Sequence, residues 1–149
     1  ATDPAAQLAQ FEQFYRVHMA APFQLNRALA PQLASNPNAS IIHITDIYIH
    51  APAPQFAAYV ATKAGAHSLA MSFARELAPE VRVNTIEPGP ILFLDEHGDA
   101  WRQQVLARTP LAREGGLEPI WQAVTLLMAN DYMTGASIRV DGGRALAVI

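Results

Sequence analysis

Tyr59 and Lys63 stand four residues apart in a stretch, 55–77, whose alanine-rich pattern predicts a helix. Four residues make one helical turn, so the phenol and the ammonium share a face. A free tyrosine titrates near pH 10 and is a sluggish proton carrier at neutral pH. A cation one turn away favours the phenolate and is expected to draw that titration toward the working range. The chemistry on offer is proton delivery to a polar double bond during its reduction. Tyr-x-x-x-Lys alone recurs by chance, so its meaning depends on the elements that would position it.

Three β-branched runs frame the pair. Residues 40–46 predict a strand whose β-branched run suits burial on both faces, with Ile42, Ile44 and Asp46 on one and Ile41, His43 and Thr45 on the other. Asp46 falls where this strand ends, and ligands of open parallel sheets bind outside the carboxyl ends of strands. A turn or helix-cap role is the alternative reading of Asp46. Residues 81–86 predict a second strand, closed by Glu87-Pro88-Gly89-Pro90, where Gly89 would serve either a close ligand approach or a tight turn. Residues 137–140 predict a third, closed by Asp141-Gly142-Gly143.

Helical patterns separate the strands. Asp3-Pro4 is a capping pair that opens a helix to Leu33, with Pro22 expected to kink or break it. His18 lies on its apolar face, as a hydrogen-bonded core residue or as part of a site. The small residues of 55–77 imply burial on more than one side, hence contact with another subunit. Residues 91–110 hold a short helix from about Asp99, with Gly98 as hinge, fitting a lid or an ordinary excursion. Glu118-Pro119 opens a last helix expected to place Trp121, Val124, Leu127 and Met128 on one face. The order predicts an α/β fold with a parallel sheet, wound by right-handed crossovers.

Composition excludes several functions. Half of the 149 residues are apolar and only 15% are charged, so the chain is globular and rich in apolar surface. A net charge of −3 without a basic run argues against nucleic acid. No cysteine is present, which removes disulfides, thiolate nucleophiles and zinc–thiolate sites, and no metal is expected. No signal peptide or membrane span is read in it, and a cytoplasmic protein is expected.

Five landmarks in order resemble the C-terminal part of a short-chain dehydrogenase/reductase and span nearly the whole chain. They are Val17-His18-Met19-Ala20-Ala21-Pro22-Phe23, residues 40–46, Tyr59-Val60-Ala61-Thr62-Lys63-Ala64-Gly65, residues 82–90, and Thr134-Gly135 leading to Val140-Asp141-Gly142-Gly143. The resemblance implies part of a doubly wound Rossmann-type sheet, with residues 1–149 as the catalytic portion of one domain. It implies Tyr59 as proton donor and Lys63 as the residue that tunes it and holds the nicotinamide ribose. Pro88, Gly89 and Ile91 would border the nicotinamide, and His18 would continue a proton path. The family's usual serine is here Asp46 and its usual helix asparagine is His18; both substitutions resemble the pteridine reductase and dihydromonapterin reductase branch. An ionised aspartate accepts hydrogen bonds and repels a developing oxyanion, so it suits a substrate with N–H donors or a ring nitrogen to be protonated. An NADPH-dependent reductase of a pterin is the expectation. Thr45 leaves open a carbonyl or 3-oxoacyl reductase, and a non-catalytic piece that only associates through its helices is the third reading. No G-x-G-x-x-G occurs, so the cofactor's pyrophosphate grip is expected from an N-terminal half outside these residues. The first strand would then need that half to complete its edge. The family also implies a homotetramer built on the helices at 3–33 and 55–77.

Overall fold

The computed structural model describes residues 3–147. The order is α1 (Pro4–Tyr15), a π-helical turn (Arg16–Ala20), α2 (Ala21–Ala34), β1 (Ala39–Ile44), α3 (Ala57–Glu76), β2 (Val81–Pro88), α4 (Asp99–Ala107), α5 (Glu118–Ala129) and β3 (Ser137–Val140). Short 3-10 turns lie at Ile47–Ile49, Pro54–Phe56 and Arg144–Ala147.

Asp3 caps α1 by accepting from the Ala5 N–H at 3.0 Å, as its sequence position predicts. The break expected at Pro22 takes another form. The axis stays helical, and the missing proline N–H is accommodated at the start of α2, directly after the π turn. A π turn widens the hydrogen-bonded ring by one residue, and such turns concentrate at functional positions; this one carries His18.

The three strands pair in the order β1-β2-β3, all parallel, with Ile41 opposite Val83 and Ile86 opposite Ile138. Ile41 and Val83 pack on Ala70, Phe73 and Ala74 of α3. Ile42, Ile86 and Ile138 pack on Ala123 and Leu127 of α5 on the other face. The sheet is thus the middle of three layers, as alternation along each strand requires.

That layering corrects one expectation. Both crossovers step the same way across the sheet, yet α3 covers one face and α5 the other. The two connections therefore have opposite hands, and a uniformly right-handed winding is ruled out. The handedness rule rests on a strand feeding directly into a packed helix. Between β2 and α5 lie a long loop and α4, enough chain to carry the path around the sheet's end.

The buried stripe of α5 also differs from the expected one. Ile120, Ala123, Val124 and Leu127 meet the sheet, whereas Trp121 and Met128 are 61% and 54% exposed. Positions 120, 123, 124 and 127 follow the three-four repeat of one face; 121 and 128 belong to the adjoining stripe.

β1 is the edge strand of the sheet among the described residues, and Ile44 is 45% exposed. Burial on both faces, expected from its β-branched run, is therefore incomplete. One of its inward residues, His43, receives a hydrogen bond from the Asn26 amide of α2 at 2.9 Å. The amide nitrogen can only donate, so the His43 Nε2 accepts and the ring is neutral. Burial holds the His43 titration below the usual histidine range, and His18 is lowered as well. Groups with a folded pKa below the unfolded value stabilise above the unfolded pKa and lose that contribution as pH falls through the folded one. The urea midpoint is expected to drop between about pH 7 and about pH 5, more steeply than in His43→Gln. A midpoint that stays level over that interval in the parent protein would contradict the neutral, buried assignment.

Candidate active site

The strand ends converge on a cavity of about 970 Å³, lined among others by Asp46, Tyr48, Tyr59, Pro88, Gly89 and Arg144. This is the place the open-sheet rule assigns to a ligand.

Asp46 leaves β1 with extended backbone (φ −163°, ψ 150°) and caps the Ile47–Ile49 turn, accepting from the Tyr48 N–H at 2.8 Å. The turn-cap role and the site role therefore coincide in one carboxylate. Its other oxygen accepts from the Tyr59 hydroxyl at 3.1 Å. Burial raises the Asp46 titration above the usual carboxylate range, opposed by the Tyr48 N–H, the Tyr59 hydroxyl and the Lys63 charge.

Tyr59 and Lys63 occupy successive turns of α3 as their spacing predicts, with the ammonium 5.8 Å from the phenol ring centroid. The expected electrostatic consequence is not observed. Burial first, then the charge and hydrogen bond of Asp46, push the Tyr59 titration upward. Lys63 instead donates to the Ile44 carbonyl at 3.0 Å, and burial lowers its own titration. The phenol's nearest charged partner is thus an anion, and the phenol is held as O–H.

His18 does not line the cavity. Its ring stacks on Phe14 at 5.5 Å and meets the Tyr59 ring edge-on at 5.4 Å. The Thr62 hydroxyl gives its single proton to the Tyr59 carbonyl at 2.8 Å. The contact of His18 Nδ1 with Thr62 Oγ1, also 2.8 Å, therefore has the imidazole as donor, which leaves Nε2 as an acceptor in the neutral ring. Burial and then Lys63 keep that ring neutral.

Pro88 and Gly89 form the cavity floor, and the Gly89 N–H donates to the Val140 carbonyl at 2.9 Å. A Cβ on Gly89 would come within 2.7 Å of the Asp141 backbone, so this glycine is required by the approach of two chain segments. Ile91 lies one step aside. It borders a second cavity of about 450 Å³ with Pro90, Leu111 and Gly115.

Thr45 is 2% exposed and donates to the Ile86 carbonyl at 3.1 Å. Its hydroxyl is committed to the sheet interior and is not presented to the cavity. Sequence reasoning missed Tyr48, Arg144 and an aromatic wall. In that wall Phe93 and His97 pack on Trp101 at 5.4 and 4.4 Å. The excursion 91–110 thus flanks the site. Its cluster of aromatics around the start of α4 was the available signal. Among the described residues, no group of three or more His, Asp or Glu could hold a metal, and no helix is long and apolar enough to cross a membrane.

A three-layer α/β unit with Asp46, Tyr59 and Lys63 at its strand ends defines a class, and comparison agrees with it. The chain belongs to the short-chain dehydrogenase/reductase family, and a family model described as enoyl-(acyl carrier protein) reductase matches residues 4–145. Within the family it is similar to the dihydromonapterin reductase of Klebsiella pneumoniae, 40% identical over 88% of this chain and 55% of that protein. Among solved structures it is similar to the FolM alternative dihydrofolate reductase 1 of Brucella canis complexed with NADP, at 27% identity and a TM-score of 0.85 over 98% of this chain and 57% of that one. It is also similar to the acetoin dehydrogenase of Enterobacter cloacae, at 28% identity and a TM-score of 0.81 over 94% of this chain and 57% of that one. The chain spans about half the length of these relatives.

Proposed function

We propose that this chain supplies the proton-transfer and substrate face of an NADPH-dependent reductase of pteridines. The observation that carries the reading is the Asp46 carboxylate, buried at the cavity and hydrogen-bonded to the Tyr59 hydroxyl. It accepts hydrogen bonds and repels negative oxygen, so it favours a ring with N–H donors over a ketone. The names of the similar dihydromonapterin reductases and of the FolM protein support the same class.

The dinucleotide, when bound, supplies the hydride that adds to carbon of the ring C=N bond. The residues present suit its nicotinamide end. Lys63 uses one of its three N–H donors on Ile44 O, leaving donors for ribose hydroxyls, and Pro88 and Gly89 line the cavity beside it. Tyr59 delivers the proton: its hydroxyl turns from Asp46 to the substrate nitrogen, and the N–H bond forms as the O–H bond breaks. Asp46, released from Tyr59, accepts from the N–H edge of the ring. Solvent returns the proton to the phenolate, and His18, whose neutral ring has no Nε2 proton to give, positions that path from behind. Its Nε2 lone pair orients a water, and its Thr62 contact fixes the ring.

The pyrophosphate grip comes from a nucleotide-binding segment that pairs with the open edge of β1. Exposed apolar residues on α1 and α2, among them Leu8, Phe11, Tyr15 and Leu25, support packing of these helices and α3 on a second copy. A tetramer in the cytoplasm is the assembly and location this reading carries.

The protein purified as its gene encodes it is expected to oxidise NADPH with a dihydropterin as acceptor. Asp46→Ser is expected to shift preference from dihydropterin toward a ketone such as acetoin by about ten- to a hundredfold in kcat/KM, the worth of one hydrogen bond to a charged group. Thr45→Val, whose hydroxyl is buried away from the cavity, is expected to leave that ratio unchanged. A ketone preference in the parent protein that Thr45→Val abolishes would reject the pteridine assignment.

A further inference from the structure

Arg144 follows Gly143 and opens the last 3-10 turn, which lays it along the cavity wall at only 7% exposure. A guanidinium carries five N–H donors and a full charge. In this structure Nη1 donates to the Val105 carbonyl at 3.3 Å and Nη2 to the Tyr48 hydroxyl at 3.5 Å, both long. Nε is buried without a partner. Among the described residues no carboxylate stands within ion-pair distance of it. The neighbouring Asp141 carboxylate is spent on the backbone N–H groups of Gly143 and Ala145.

An unpaired buried cation is costly, and such charges are normally met by a counter-ion. Arg82, also buried and likewise with its Nε unpartnered, shows the contrast at its Nη groups. Its fork donates to the carbonyls of Leu127, Met128 and Met133 and to the Asn38 side chain. Arg144 has no comparable set of acceptors, and the space beside it is the substrate cavity.

Resting on the pteridine reading, we propose that Arg144 is the substrate's anion site: it binds a carboxylate or phosphate carried on the pterin's substituent while Asp46 and Tyr59 engage the ring. Tyr48 sets the distance between the two ends. Its backbone N–H is on Asp46 and its hydroxyl is at Arg144, so the acidic group sits one tyrosine side chain away from the reacting end. Having accepted from Arg144, that hydroxyl keeps its own proton free for the same anion. A carboxylate meets the guanidinium fork edge to edge, and a phosphate does so with an oxygen to spare.

Three fluorescent ring-matched probes test this on the purified protein in the presence of NADP: 6-hydroxymethylpterin, pterin-6-carboxylate and 6-hydroxymethylpterin phosphate. At least one acidic probe is expected to bind about ten- to a hundredfold more tightly than the neutral one, and which of the two does so tells carboxylate from phosphate. Arg144→Gln is expected to erase that preference and leave the neutral probe's Kd in place. Arg144→Lys, which keeps the charge and loses the fork, is expected to retain more of it for phosphate than for carboxylate. An arginine with only a structural role would lower Tm in Arg144→Gln and leave the ratio of Kd values untouched, which overturns the proposal. Equal Kd values for all three probes in the parent protein overturn it without any variant. Failure of every probe to bind removes the pteridine reading together with this one.

Discussion

Tyr59→Phe is expected to lower kcat for dihydropterin reduction by about 10²- to 10⁴-fold, the usual contribution of a positioned proton donor. The substitution removes one oxygen and little else. The ring keeps its edge-on contacts with Phe14 and His18, at 5.6 and 5.4 Å, so folding and Tm should be close to those of the parent. Asp46 loses the hydroxyl that donates to it but keeps the Tyr48 N–H. Binding of an oxidised pterin should therefore survive, and the loss should fall on kcat with KM little changed. The pH profile adds a second reading. Burial raises both groups, and the charge and hydrogen bond of Asp46 raise Tyr59 further, so the two titrate as a pair. The phenol is expected to stay protonated through neutral pH, and turnover is expected to fall on the acid side as the carboxyl loses its charge. Turnover that is unchanged in Tyr59→Phe removes the phenol from the chemistry.

The largest effect expected on stability is at Leu127. Its side chain is fully buried between Ile86 of β2 and Ala123 of its own helix, and Leu127→Ala should cost about 2–5 kcal/mol. The cost combines lost transfer energy with a cavity that a sheet held by parallel pairing cannot close. Its carbonyl also accepts from the buried Arg82 at 2.8 Å. Alanine leaves that backbone bond in place, so the measured loss reports packing alone. Leu126, one residue away and 49% exposed, supplies the control, and Leu126→Ala should change stability by no more than about 0.5 kcal/mol. Urea midpoints for the two variants check the pair. Equal effects would mean that α5 does not seat on the sheet as described.

The outcome at Tyr59 marks how far local patterns reach. Spacing places Tyr59 and Lys63 on one face of one helix, since four residues in an α-helix can do nothing else. The three β-branched runs, the Asp3-Pro4 start and the Pro88-Gly89 turn are likewise written in near neighbours, and each lies within two residues of its expected bounds. The neighbour that controls the phenol is not local. Asp46 sits thirteen residues earlier and reaches the hydroxyl because β1 and α3 pack together. The charge expected to act on Tyr59 was the nearer one in sequence; the carboxylate brought up by the fold acts on it more strongly.

The amino-acid order alone determined the α/β class, the parallel strands and the candidate residues at their ends, because periodicity and turn chemistry act over a few residues. Tertiary structure decided the rest. It turned Thr45 into the sheet and Trp121 out of it, gave the two crossovers opposite hands, and set Arg144 beside Tyr48 across 96 residues of chain. Such contacts depend on which faces meet when the layers close, and a linear pattern holds no record of that choice.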